Sequence, residues 1–387
     1  MANGELQVRG ANTRPAPAYA GAGASLSDGF DCSHVVRLSG RQWLAVAVVL
    51  LAVVGLGPTL WNQVEVFQPG SDYRLPYELS SDYWLWRRHC SRACDQNRVL
   101  VIGDSVIWGH YVPPDETLSH YLNESAGSTR FANLGLDGTH PAALMGLVQY
   151  YGVGLWNRTV VLHFNPLWLS STKHDLQTDK EFRFNHADLV SQFLVDIPCY
   201  KASTAQRLRI AAKRALPFAN WVAHLRTVYY GGKDLQTWTL DNPYACPVMP
   251  VMRGLPEPGG VPEPSGGTWV EKGGRKQTLS WVTLDSSLQW RFFRRAVELL
   301  RRRGNRVFVL VGPFNEHMLT DEDAARYGRI KAEAAAWLQE NKVPCFVPEA
   351  LPAEHYVDAS HPIGAGYALL AKELWEQPAF QEVVKGQ

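Results

Sequence analysis

Apolar runs too short to be helices recur along this chain, each followed by sequence that favours a helix. That alternation limits the fold more than any other feature. The first run, Val99–Ile102, is rich in β-branched residues and closed by Gly103, the pattern of a buried strand. Residues 130–133 and Thr159–Phe164 repeat it, the latter closed by Asn165-Pro166, and Arg306–Val311 and residues 344–347 repeat it again. Helical sequence fills the intervals at 116–123, 141–151, 286–303 and Asp321–Glu340, with a last stretch at 363–376. The alternation predicts an α/β fold on a parallel, doubly wound sheet. It breaks once: residues 167–284 hold a basic amphipathic helix, 205–226, and a Pro/Gly-rich stretch, 254–267, expected as a mobile loop. One domain over 98–387 with an insertion between its third and fourth strands accounts for this pattern. An insertion at the carboxyl ends of the strands is placed to form a lid or substrate platform.

No charged residue occurs between Arg41 and Glu65. Residues 43–61 read WLAVAVVLLAVVGLGPTLW, enough to cross a bilayer as one helix at about 1.5 Å per residue. Trp43 and Trp61 bracket the run as interfacial aromatics, and Arg37 and Arg41 precede it. A cleaved signal peptide fits poorly, because the preceding tail is long and no Ala-x-Ala site follows. The competing reading is a buried core helix of a soluble protein. Residues 1–36, rich in Gly, Ala, Ser and Pro, read as a disordered cytoplasmic tail, and 62–97 as a connector with aromatics and the basic pair Arg87 and Arg88. The expected location is the cytoplasmic (inner) membrane, crossed once, with residues 98–387 on the exported, periplasmic side.

The formal net charge of +1 and the lack of a long basic block exclude nucleic acid as a partner. Fourteen Trp and fifteen Tyr supply aromatic surface of the kind that suits sugar or acyl ligands. On the exported side, disulfides are permitted for Cys90 with Cys94 and Cys199 with Cys246; free thiols remain the alternative, and spacing leaves connectivity open. The cysteines do not have zinc-site spacing, and no cofactor is expected.

Asp104 and Ser105 stand where the first strand stops, the place where open α/β sheets carry their chemistry. Near the chain's end comes Asp358-Ala359-Ser360-His361-Pro362. Acyl transfer by a serine needs a base and a carboxylate that orients it, and Asp and His three apart on a turn bring both side chains to one side. Pro362 suits the first position of the following helix. An oxyanion needs donors already aimed at it. The backbone N–H groups of Ser105 and Gly138 suit this role, and Asn165 at the tip of the third strand adds an amide. Asp104, Asn315 and Glu316 are candidate substrate contacts. His110, His140 and His163 fall near the site without metal-ligand spacing, and Asn123 and Asn157 head glycosylation sequons.

Ser105 after strand one, Gly138 after strand two, Asn165 after strand three and Asp358-x-x-His361 before the last helix resemble the ordered signature of the SGNH, or GDSL-type, hydrolases, over residues 97–378 apart from the insertion. The first block reads Gly-Asp-Ser-Val rather than Gly-Asp-Ser-Leu; the third reads His-Phe-Asn-Pro, without the usual Gly before and Asp after the Asn. The resemblance implies a three-layer α/β/α sandwich on a five-stranded parallel sheet. It implies Ser105 as nucleophile, His361 as general base, Asp358 as its orienting partner, and Ser105, Gly138 and Asn165 as oxyanion-hole donors. In layout the chain looks like membrane-tethered O-acetyltransferases and deacetylases of bacterial exopolysaccharide and cell wall. The implied substrate is an acylated carbohydrate or other ester, with a membrane protein as possible acyl donor. Lipid or thioester hydrolysis and a non-catalytic glycan-binding assembly subunit are the alternatives.

Overall fold

A computed structural model describes residues 38–257, 260–262 and 265–385. The tail 1–36, with Cys32, lies outside the described residues, as do four residues of the stretch expected as a mobile loop. The chain divides into two units, Met1–Leu51 and Ala52–Gln387, and the boundary falls inside one helix, α1 (Gly40–Val64). That helix is long and apolar enough to cross a membrane. Only 6% of its most apolar window is buried, so it is not the core helix of the competing reading.

The second unit is α/β. Its strands are β1 (Val99–Ile102), β2 (Phe131–Asn133), β3 (Thr159–Phe164), β4 (Arg306–Val311) and β5 (Cys345–Phe346), all parallel in the order β2-β1-β3-β4-β5. The helices, in chain order, begin with α2 (Tyr83–Asp95), α3 (Ser105–Trp108), α4 (Leu118–Ala126) and α5 (Pro141–Gly146). Next come α6 (Thr204–Ala215), α7 (Pro217–Tyr229), α8 (Leu235–Asp241) and α9 (Met249–Met252), all between β3 and β4. The chain finishes with α10 (Leu288–Arg302), α11 (Asp321–Glu340), α12 (Gly364–Glu376) and α13 (Pro378–Lys385).

Successive strand residues point to opposite faces, and two separate cores result. Leu100, Ile102, Leu162 and Val309 join side chains of α2, α5, α10 and α11 in one; Val99, Val101, Val161 and Phe308 join those of α4, α12 and α13 in the other. β1 and β3 are wholly buried, which is why their sequences run apolar instead of alternating. The strand order reverses its direction of growth between β1 and β3, the switch point where open α/β sheets leave a crevice beyond the strand ends.

Two expectations need correction, and one open alternative is settled. Residues 62–97 are more than a connector: α2 buries Leu85, Trp86, Cys90, Ala93 and Cys94 against the sheet, and buried Arg74 donates to Trp108 O (2.8 Å) and Val112 O (2.9 Å). The basic helix expected at 205–226 is two helices, because Pro217 lacks the N–H to continue α6 and instead opens α7. Cys90, Cys94, Cys199, Cys246 and Cys345 are free thiols. A helix holds Cβ atoms four residues apart at about 5–6 Å, wider than a disulfide allows, which rules out bridging Cys90 to Cys94 within α2.

Candidate active site

Asp104 stands just past the end of β1 and caps α3, its carboxylate accepting from Val106 N–H at 3.0 Å. This puts Ser105 at the first helical position, 8% exposed, with its N–H among those a helix start leaves without an intrahelical partner. Gly109 closes the single turn in a left-handed conformation, φ 87°. Tyr367 of α12 donates to Val106 O at 2.6 Å, so α3 is held by α12 as well as by Arg74.

The turn before α12 supplies the partner groups. Asp358 Oδ1 accepts from the N–H groups of Ser360 (2.9 Å) and His361 (3.0 Å), which folds the Asp and His side chains together. His361 Nδ1 then lies 2.9 Å from both Asp358 oxygens, and His361 Nε2 lies 2.8 Å from Ser105 Oγ. With Nδ1–H donated to Asp358, the Nε2 lone pair faces the serine. Pro362 sits two residues ahead of α12 instead of at its first position, because Ile363 is the cap. Asn315, fully buried, donates from its side chain to Asp358 O (3.2 Å) and from its backbone to Ala359 O (2.8 Å).

The charges agree with this geometry. Burial opposes protonation of His361, but the adjacent Asp358 charge and hydrogen bond outweigh it, with Asp104 and Asp137 adding, and the imidazole titrates above its ordinary 6.5. Partial desolvation would raise Asp358; the His361 charge and the accepted hydrogen bonds hold it at about 2. Burial would likewise raise Asp104, yet His163, Asn165 and Val106 N–H keep it below its usual value.

Asn165 Nδ2 donates to Asp104 Oδ2 at 2.8 Å, which fixes the amide beside the residue preceding Ser105. Trp168 Nε1 shares that oxygen at 3.0 Å, and His163, bonded through Nε2 to Gly312 O (2.9 Å), lies 3.2 Å from Asp104 Oδ1. Gly138 lies in the turn after β2, which is tied to β1 by Leu136 N–H donating to Gly103 O (3.0 Å). Its φ of 69° requires glycine, and a Cβ there would stand 2.3 Å from Asn185 Nδ2. The preceding Asp137 accepts from His110 (2.7 Å), whose ring lies 5.5 Å from that of His361. Tyr111 packs edge-on to the same imidazole at 5.4 Å.

The expected substrate contacts are otherwise engaged. Asp104 is buried among the donors named above, Asn315 supports the Asp358 turn, and Glu316 pairs with Lys331 of α11. His110, His140 and His163 have separate partners, His140 capping α5, and among the described residues no group of three His, Cys, Asp or Glu is placed to hold a metal ion. Asn123 bonds both ways to Phe131, holding the start of β2, so its sequon is structural. Arg74, Trp168, Asn185 and Tyr367 carry no sequence signal of their own; only Trp168 and Asn185 fall within 167–284, the stretch expected as a substrate platform.

A cavity of about 340 Å³ adjoins the Gly138 turn, lined by Tyr77, Glu78, Asp137, Asn185 and His186 among others. No known family's sequence model matches the chain, and no curated protein matches it.

Proposed function

We propose that the chain is a membrane-anchored serine enzyme of SGNH type that hydrolyses or transfers an O-linked acyl group. The observation that carries this reading is the hydrogen-bonded series from Ser105 Oγ through His361 to Asp358, at 2.8 and 2.9 Å, at the carboxyl end of β1. Helices on both faces of the parallel sheet suit a three-layer α/β/α sandwich, with 167–284 as its insertion. His361 takes the Ser105 proton as Oγ attacks the ester carbonyl. The oxyanion then meets the N–H groups of Ser105 and Gly138 and the Asn165 amide. Collapse expels the alcohol, which takes the proton back from His361, and leaves an acyl-enzyme. Water or a sugar hydroxyl, deprotonated by the same imidazole, attacks the acyl-enzyme, and Ser105 Oγ leaves with that proton as the acyl group is released. Asp358 stabilises the imidazolium in both halves. A general base contributes about 10²–10⁴-fold and each oxyanion donor about 10²–10³-fold, enough for a fast esterase when combined.

The substrate we favour is an acetylated envelope glycan. The cavity beside the Gly138 turn has hydroxyl-bonding groups and a tyrosine face where a lipid esterase would need an apolar acyl channel. Anchoring by α1 with the domain on the exported side, and an acyl donor supplied by a membrane partner, complete the proposal. The test is intact-mass measurement of the full chain in detergent after treatment with a fluorophosphonate. One adduct, lost in Ser105→Ala and in His361→Ala, is expected; a folded protein that takes none would instead favour the glycan-binding subunit.

A further inference from the structure

We propose that a cavity between the end of α1 and helix α2 holds the phosphate-bearing headgroup of an anionic phospholipid. The inference rests on α1 crossing the membrane and is independent of the acyl-transfer chemistry. The cavity measures about 740 Å³, and Asn62, Gln63, Trp84, Arg87, Arg92 and Pro217 contribute to its wall. Its electrostatics are decided by which charges are already paired. Glu65 accepts from Arg88, Tyr229 OH, His224 Nε2 (2.9 Å) and Trp61 Nε1 (3.0 Å), so that carboxylate and Arg88 are both occupied. Arg87 and Arg92 then stand against Asp95 alone. Donors exceed acceptors, which calls for a ligand bearing several anionic oxygens.

The depth of the cavity points to a lipid as the source of those oxygens. The Trp61 and Trp221 rings lie 5.9 Å apart, and a side chain at Gly57 would touch Trp221 at 3.1 Å. The start of α7 therefore lies beside the last turns of the apolar helix, at the level where tryptophans bracket a bilayer. Leu60, Val64 and Leu216, neighbours in sequence of wall residues, expose apolar side chains there (54%, 72% and 54%). Acyl chains beside the helix and a headgroup in the cavity satisfy both surfaces.

Each arginine near a membrane surface favours an anionic lipid by about fivefold. The full chain, solubilised with equal phosphatidylglycerol and phosphatidylcholine and examined by native mass spectrometry, should therefore retain phosphatidylglycerol with a preference of about 25-fold. Arg87→Gln with Arg92→Gln should bring that close to unity, and Arg302→Gln on α10 should leave it unchanged. Equal retention of the two lipids by the wild type overturns the proposal, as does a double variant that keeps its preference. Displacement of phosphatidylglycerol by soluble glycerol phosphate at matched concentration would make the site one for free phosphate esters and would also overturn it. Release of the full chain from membranes by alkaline carbonate would mark failure of the anchor reading, separately from these outcomes.

Discussion

At the scale of single residues, the site turns on how Asp358 sets the state of His361. The imidazole must be neutral to accept the Ser105 proton, and its neighbours raise its titration above 6.5. Fluorophosphonate labelling should accordingly rise with pH through a midpoint above 6.5, measured as a second-order rate between about pH 5 and pH 9. Asp358→Asn removes the charge and presents an amide where an acceptor is needed. It should lower the plateau by about 10⁴-fold and move the midpoint down. Asp104→Asn should move the midpoint in the same direction by less, since Asp104 follows Asp358 among the groups that raise His361. A midpoint that stays in place in Asp358→Asn would remove Asp358 from the role assigned to it. Asp104 also shows how a residue read as a substrate contact becomes a support: it lies 3% exposed with four groups against its carboxylate, leaving no oxygen for a ligand.

At the scale of elements, the exit from β2 presses directly on the turn that carries the serine. A Cβ on Gly135 would stand 2.3 Å from Trp108 N and 2.8 Å from Ile107 C, both backbone atoms of α3 that cannot swing aside. Gly135→Ala should therefore cost about 1–3 kcal/mol or more in thermal unfolding and slow Ser105 labelling by displacing α3. Gly154→Ala, where nothing lies within 4 Å, should leave both unchanged. If the two variants behave alike, the packing of this loop does not position the serine. Elements of this kind were legible in the sequence to different degrees. β1, β3 and β4 declared themselves because strands buried on both faces run continuously apolar. α2 did not, since its charged residues Arg87, Arg88 and Arg92 masked a buried face of Leu85, Trp86 and Cys90. The Asp358–His361 turn was readable because three residues fix its geometry locally. Arg74, Asn185 and Tyr367 were not, because their contacts with the site depend on pairings up to 261 residues apart that no local pattern encodes.

At the scale of the whole molecule, one buried cluster joins the end of the apolar helix to the α/β domain. His224 of α7 lies 2.9 Å from Glu65, just past α1, and 2.6 Å from Asp82, the cap of α2. Burial opposes its charge, but the two carboxylates raise it to about 9, while the same contacts lower Glu65 despite its own burial. Because the folded imidazole titrates above its unfolded value of 6.5, its contribution to stability is complete below pH 6.5 and is lost as pH rises through about 9. The apparent unfolding temperature of the full chain in detergent should thus decline across that window. His224→Gln leaves Glu65 and Asp82 without their shared cation, and removing one member of a buried ion pair costs about 3–5 kcal/mol. The variant should unfold several degrees below the wild type at low pH, lack the decline, and approach the wild type above the window. A wild-type curve that is flat through the window, or a parallel offset of the variant at every pH, would show that the imidazolium does not hold the two carboxylates. If the decline is found, three elements, the end of α1, the start of α2 and the body of α7, are held by one proton. The end of the apolar helix and the domain that bears Ser105 then loosen together at alkaline pH.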